Sequence, residues 1–317
     1  MKVLVTGAAG FIGSNLAEKL AGRGDEVVGL DNFNDYYDPR KKRNNEGRLD
    51  KYPNFKMIEA DIRDRQLMLD IFNAERFDTV AHLAAMAGVR NAVANPALYV
   101  DVDLNGSQNL MDGARMADVQ NFVFASTSSV YGHSKQIPFV ESDPCDRPLQ
   151  PYAAAKRAAE MLGYTYNYLF GLNFTVIRFF TVYGPNGRPD MMAYLLAESA
   201  TKGIQIPLYE GGQMYRDWTY VEDITDGVVS ALDRPLGYEI INLGRGEPVL
   251  LKDFVKLIES LAGQKANLIS KPKPAADFLR NDADISKARE LLDYNPQVQV
   301  EEGVRRFWDW YVSQDSI

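Results

Sequence analysis

The first thirty-one residues constrain the fold more than any other stretch of the chain. Residues 2–6, KVLVT, form a short valine-rich run. Gly7-Ala8-Ala9-Gly10-Phe11-Ile12-Gly13 follows directly, and residues 14–20 then place Leu16, Ala17 and Leu20 on one helical face. A second apolar run, residues 27–30, ends at Asp31. Strand, glycine loop, helix, strand and acid is the order of a dinucleotide site. Gly7 permits the tight turn, Gly10 lets backbone approach a pyrophosphate, and Gly13 lets the helix pack close to the strand. The helix start offers free N–H groups and a partial positive charge to phosphates. Asp31 can accept hydrogen bonds from a ribose diol and would repel a 2′-phosphate, so NAD is expected over NADP. A turn that needs glycine only for packing is the alternative. The strand before, the helix after and the acid beyond weigh against it.

The alternation continues. Apolar runs at 55–58, 79–83, 122–125 and 174–180 are separated by helical patterns at 65–74, 105–116 and 152–169. This predicts an α/β fold with a doubly wound parallel (Rossmann) sheet. Such sheets bind ligands at the carboxyl ends of their strands. The strand ends here carry small or polar residues: Thr6, Asp31, Asp61, Ala84-Ala85, Ser126-Thr127 and Thr181. Residues 32–53 are charged and aromatic with little pattern and read as a surface excursion. Beyond Gly184, prolines and glycines become frequent, helical patterns recur at 191–201 and 253–261, and 271–274 reads as a proline-rich connector. A final helix, 300–312, should bury Val304, Phe307, Trp308 and Tyr311. The expected division is an NAD-binding domain, 1–180 with 220–244, and a smaller substrate-binding lobe, 181–219 with 245–317. Segments 222–232 and 240–243 should return to the main sheet.

Bulk properties exclude several classes. With 317 residues the chain can bury a sizeable core. Apolar content of 46% and charged content of 25% suit a soluble globular protein. A net charge of -8 disfavours nucleic acid and anionic membrane as partners, though local arginines can still serve an anionic nucleotide. Cys145 is the one cysteine, which fits a reducing compartment, and two histidines argue against a histidine-rich metal site, so no metal is expected. Neither a signal peptide nor a long apolar span is evident, so the expected location is cytoplasmic.

Tyr152 and Lys156 lie four apart on a helix and so share a face. A neighbouring ammonium and a positive nicotinamide ring should favour the phenolate and lower a pKa that is ordinarily about 10. Such a base can take a proton from a sugar hydroxyl. A Tyr-x-x-x-Lys pair alone is a common surface feature. The hydroxyl cluster Ala125-Ser126-Thr127-Ser128-Ser129, at a strand end and followed by Val130-Tyr131-Gly132, makes the combination less accidental.

At these residues the chain resembles the extended short-chain dehydrogenase/reductases, and among them the nucleotide-sugar epimerases. The motifs are TGAAGFIG at 6–13, Asp31-Asn32, Asp61-Ile62, HLAA at 82–85, Tyr152 with Lys156, and RFFTVYGP at 178–185. Finer features, AAMAGVR at 84–90, NDYYD at 34–38, GRPDM at 187–191 and MYRDWTYVEDI at 214–224, resemble the UDP-glucuronate 4-epimerases. The resemblance implies an NAD-retaining 4-epimerase acting on a UDP-sugar, commonly as a homodimer, with polysaccharide supply as its natural setting. It implies NAD contacts from Gly7, Gly10, Phe11, Ile12, Gly13, Asp31, Asn32, Asp61, Ile62, Leu83, Ala84, Ala85, Tyr152 and Lys156. Thr127 would be the active-site hydroxyl beside the Tyr152–Lys156 pair. Arg216 would meet the UDP phosphates, Arg188 and Arg90 would line the substrate side, and Ser128, Ser129 and Thr181 would hold a hexuronate carboxylate.

Related 4,6-dehydratases carry an Asp-Glu pair where this chain has Ser128-Ser129, and related decarboxylases carry a glutamate at the second place. Galactose-type epimerases usually have asparagine at the place of Thr181. UDP-glucose/UDP-galactose 4-epimerisation is therefore the nearest alternative, with decarboxylation, dehydration or a silent NAD-binding regulator further off. The chain also departs from its family: Asp103 stands for a usual asparagine, Ala275-Ala276-Asp277 for Pro-Gly-Asp, and Leu279 and Asn281 for proline and threonine. Arg280 is read as a solvated surface arginine, His82 as a satisfied core histidine, and Tyr164, Tyr166 and Tyr168 as core or dimer-face residues.

Overall fold

The structure, a computed structural model, describes residues 1–314, with the side chains of Val89 and Arg90 outside the described residues. Seven strands form the central sheet: β1 (Lys2–Thr6), β2 (Glu26–Asp31), β3 (Phe55–Glu59), β4 (Thr79–His82), β5 (Asn121–Thr127), β6 (Phe174–Phe179) and β7 (Tyr238–Leu243). Their spatial order is β7-β6-β5-β4-β1-β2-β3, and every pairing is parallel. β4, β5 and β6 are buried along their whole length. Helices cover both faces, which is why these strands read as continuous apolar runs rather than alternating ones. After β3 the chain crosses to the far side of β1, so the switch point lies between β1 and β4, where α/β sheets open a crevice.

Helix Phe11–Arg23 buries Leu16, Ala17 and Leu20 and ends at Gly24 in the left-handed conformation. Two glycines decide its approach. Gly7 has φ of 70°, and its N–H donates to Leu30 O at 2.7 Å. A Cβ on Gly13 would collide with the Gly7 carbonyl. Gly13→Ala should therefore cost about 2 kcal/mol and strip bound dinucleotide from the purified protein. Thermal unfolding and the 260 nm absorbance of the purified protein would check this. An alanine variant with normal stability and dinucleotide content would contradict it.

Helix Pro151–Phe170 is set by Gln150, whose side chain caps Ala153 N, by Pro151 at its first position, and by Gly171 at its end. Residues 32–53 contain a helix, Pro39–Gly47, capped by Asp38, with Lys42 and Asn45 facing inward. Asn45 donates to Ala9 O at 2.9 Å and so braces the glycine loop. The segment read as a patternless excursion is thus a wall of the cleft. Before helix Ser107–Met116 the chain makes a π-helical turn, Val100–Gly106, that the helical pattern from 105 does not announce. Segments Val221–Leu232 and β7 do return to the sheet, the latter as its edge strand.

The later segments build a second apolar cluster around Tyr183, Trp218, Phe254 and Phe307, with the Trp218 and Phe254 rings stacked at 3.8 Å. The final helix, Val300–Gln314, buries Val304, Phe307 and Tyr311, while Trp308 is only half-buried. Lys271, read as the start of a connector, instead ends a strand, Leu268–Lys271, that pairs with Ile206–Tyr209. Ala283, Ile285, Ala288, Leu292 and Tyr294 join the core of the main sheet, although the sequence pattern assigns them to the second lobe. His82 is fully buried, with Nδ1 2.7 Å from Thr6 Oγ1 and Nε2 2.8 Å from Ser107 Oγ. Among the described residues no helix is long and apolar enough to cross a membrane.

Candidate active site

Every residue named above for catalysis, NAD or substrate lines one cleft at the carboxyl ends of the strands, apart from Arg90, whose side chain lies outside the described residues. At the end under β2, Asp31 is buried and already held by three donors. Oδ1 accepts from Phe33 N (2.8 Å) and Lys42 Nζ (3.0 Å), and Oδ2 accepts from Ala9 N (3.2 Å). Oδ1 is thereby filled, and Oδ2 keeps lone-pair capacity for a further donor. Lys42 is the functional residue the sequence reading misses. Its buried ammonium balances Asp31, so discrimination against a 2′-phosphate cannot rest on an unopposed Asp31 charge. The signal was available: Asp38-Pro39 is a helix start, and 42 and 45 then share a face. Across the cleft Asn32 donates to Asp61 Oδ2 at 3.0 Å.

The glycine cradle fits NAD. Gly10 caps the helix without a side chain, leaving the first N–H groups of Phe11–Arg23 to a ligand. Deeper in, Lys156 Nζ is buried with no hydrogen-bond partner among the described residues, lying 4.7 Å from the Phe124 ring centre. Such an orphaned cation, beside the cradle, is suited to a ligand hydroxyl.

Tyr152 stands one turn before Lys156 and lines the cleft beside the Thr127 hydroxyl. The Thr127 oxygen accepts from Ser129 N at 3.1 Å, which fixes the short turn Ser128–Tyr131. The expectation that Lys156 lowers the Tyr152 pKa is corrected here. Burial pushes the phenol up, the Asp103 charge adds to it, and Thr127 and Arg188 oppose only in part. Burial likewise pushes Lys156 down, against Asp103 and Glu160. In the protein alone desolvation dominates, and the opposing pull comes from Thr127 and Arg188 rather than from Lys156.

Asp103, carried inward by the π-helical turn, is fully buried. Oδ1 accepts from Met86 N at 2.8 Å, and Oδ2 has no partner among the described residues. Burial raises its pKa from 3.8 to about 7, with Lys156 and the Met86 N–H opposing. Between these values the unfolded chain has lost a proton that the folded one keeps, so the group costs stability as pH rises and costs most above about pH 7. Asp103→Asn keeps the bond to Met86 and should stabilise the protein by about 1–3 kcal/mol at pH 8, with the gain fading toward pH 4. Thermal unfolding across this range is the check. A gain independent of pH, or a loss at pH 8, would refute the assignment.

On the sugar side Ser128, Ser129 and Thr181 line the cleft. Arg188 is clamped by Asp190 through two bonds, 2.9 and 3.1 Å, and Arg216 pairs with Asp277 at 2.8 Å. Asn281 reaches in from a neighbouring strand to Ser128. Arg280 is half-exposed, pairs with Asp282 at 2.9 Å and sits over the Tyr215 ring.

A nucleotide cradle, a Tyr–Lys pair whose lysine is buried, and a cluster of neutral hydroxyls on one Rossmann sheet define the class. The model of the NAD dependent epimerase/dehydratase family matches residues 3–244, and the chain belongs to that family. It is 43% identical over 308 residues to a UDP-glucuronate 4-epimerase of Thermodesulfobacterium geofontis, covering 97% of this chain and 95% of the relative. The crystal structure of UDP-glucuronic acid 4-epimerase from Bacillus cereus, in complex with UDP-glucuronic acid and NAD, matches with a TM-score of 0.92. It is 33% identical, with 99% of this chain and 100% of that one covered. A UDP-glucose 4-epimerase of Thermotoga maritima matches with a TM-score of 0.91 at 30% identity, over 99% of each chain.

Proposed function

We propose that this chain is an NAD-retaining 4-epimerase that interconverts UDP-glucuronate and UDP-galacturonate. The observation that carries the uronate is the pocket formed by Ser128, Ser129 and Thr181: three neutral hydroxyls, with no carboxylate at the two positions where dehydratases and decarboxylases need one. The 43% identity to a UDP-glucuronate 4-epimerase supports the same reading.

Tyr152, beside the Thr127 hydroxyl, takes the proton of the sugar 4-hydroxyl as C4 gives up its hydride. When bound, NAD supplies the acceptor and return donor of that hydride and, in its oxidised form, a positive charge beside the phenol. Lys156, whose buried Nζ has no partner among the described residues, orients the adjoining ribose. The 4-keto sugar turns about its phosphate link, hydride returns to the other face, and Tyr152 gives the proton back. The intermediate is a β-keto acid, prone to lose carbon dioxide. Hydroxyls from Ser128, Ser129 and Thr181 hold its carboxylate in one orientation and restrain that loss. Arg216, pre-set by Asp277, meets the phosphates, and Arg188, pre-set by Asp190, lines the sugar site. Arg90 belongs to the same side in this reading. Residues 1–180 with 220–244 serve as the NAD-binding domain and the remainder as the substrate-binding lobe. The enzyme works as a cytoplasmic homodimer, for which exposed Met161, Tyr164, Tyr168 and Leu169 on helix Pro151–Phe170 are the supporting feature.

The test is product identification by NMR after incubation with UDP-glucuronate and no added NAD. The expected product is UDP-galacturonate without carbon dioxide. A UDP-pentose would make the protein a decarboxylase. An unchanged uronate with turnover of UDP-glucose would make it a hexose epimerase.

A further inference from the structure

Asn281 is a buried polar residue outside the catalytic and binding set named from the sequence. It lies on the two-residue strand Arg280–Asn281, which pairs in parallel with Tyr215–Arg216 in register with Arg216. Its carbonyl accepts from Asp217 N at 2.9 Å, so the backbone is fixed, and its side chain is buried in the cleft wall. From there Nδ2 donates to Ser128 Oγ at 3.0 Å, across 153 residues of sequence. Its Oδ1 is buried without a partner among the described residues.

A serine hydroxyl has one proton and two acceptor sites. Once an amide N–H occupies an acceptor site from one side, the hydroxyl proton has to point elsewhere. Ser128 lines the cleft, so its open side is the sugar pocket. We propose that Asn281 is a specificity-determining residue: it fixes Ser128 as a donor into the pocket, where a carboxylate on C5 takes the proton and a neutral hydroxymethyl group gains less. This rests on the UDP-hexuronate reading above. A threonine at 281 would leave the direction open, since its own hydroxyl can donate or accept. An amide gives Ser128 a donor, and hydrogen bonds to a charged acceptor are roughly twice as strong as neutral ones. The strand that carries Asn281 also flanks Arg216, so the residue that positions Ser128 and the arginine assigned to the phosphates are held in one register.

The experiment measures dissociation constants for UDP-glucuronate and UDP-glucose by calorimetry on the NAD-loaded Tyr152→Phe protein, with and without changes at 281. Asn281→Ala should shift the ratio of the two constants about tenfold toward the hexose, the worth of one charge-assisted bond. Asn281→Asp, near-isosteric and able only to accept, should claim the Ser128 proton and shift the ratio further than alanine does. Bound NAD reports folding in each variant. An unchanged ratio in Asn281→Ala, or an aspartate that shifts it no further than alanine, overturns the assignment of Asn281. A Tyr152→Phe parent that does not prefer the uronate overturns the substrate reading itself, whatever Asn281 does.

Discussion

Replacing Tyr152 with phenylalanine should lower turnover of UDP-glucuronate about 10³-fold while the protein keeps NAD and binds the sugar nucleotide. The substitution removes one oxygen, the group that takes the 4-hydroxyl proton in the proposed mechanism. Thr127 lines the cleft beside it, and Lys156, one turn further along the helix, has a buried Nζ with no hydrogen-bond partner among the described residues. The ring itself packs edge-on to Tyr99 at 6.1 Å, and phenylalanine preserves that contact. The phenol is held above its ordinary pKa by burial, so its loss does not unbalance the core. Steady-state kinetics with the NMR product assay would check the rate, and absorbance of released dinucleotide the retention. A variant keeping a tenth of wild-type turnover would remove Tyr152 from the base role.

The largest effect on stability should come from Arg178→Met. Arg178 and Glu160 are both fully buried and form two bonds, Nε to Oε1 at 3.1 Å and Nη2 to Oε2 at 2.8 Å. Ser126 Oγ also donates to Glu160, and Arg157 reaches it at 3.0 Å. The cluster ties helix Pro151–Phe170, one turn beyond Lys156, to β5 and β6. Ser126 immediately precedes the active-site Thr127. Methionine fills much of the arginine volume but leaves Glu160 short of its main partner in a low-dielectric site. Breaking such a pair from one side costs about 3–5 kcal/mol, an expected drop in Tm on the order of 10 °C. Arg178→Met with Glu160→Gln should recover part of that loss, because the stranded charge is gone. A single variant within a degree or two of wild type would mean that the pair is dispensable.

The parts legible in the sequence are those whose physics is local. Gly7, Gly10 and Gly13 between KVLVT and a helical stripe specify the first βαβ unit, because only glycine fits the collision at Gly13 and the positive φ at Gly7. The fully buried strands show as valine and phenylalanine runs because helices cover both faces. Tyr152 and Lys156 are legible through one turn of helix. What the sequence hides depends on distance. Helix Pro39–Gly47 has almost no apolar face, since what it turns inward is a lysine and an asparagine for Asp31 and Ala9. The π-helical turn that brings Asp103 under Lys156 has no periodic signature. Arg178 was visible in its motif, but its partner Glu160 lies on another element. Asn281 meets Ser128 only because a two-residue strand pairs with Tyr215–Arg216. The upward shift of Tyr152 has the same origin: helical spacing announces the neighbouring lysine but not the burial that governs the phenol.

The central claim is transient oxidation at C4 with return of the same hydride and no loss of the carboxylate. UDP-glucuronate deuterated at C4, incubated with the purified protein without added NAD and followed by NMR, tests it most directly. The account predicts UDP-galacturonate with deuterium kept at C4 and no carbon dioxide released. Deuterium washed into solvent, or a UDP-pentose in place of the uronate, would contradict it.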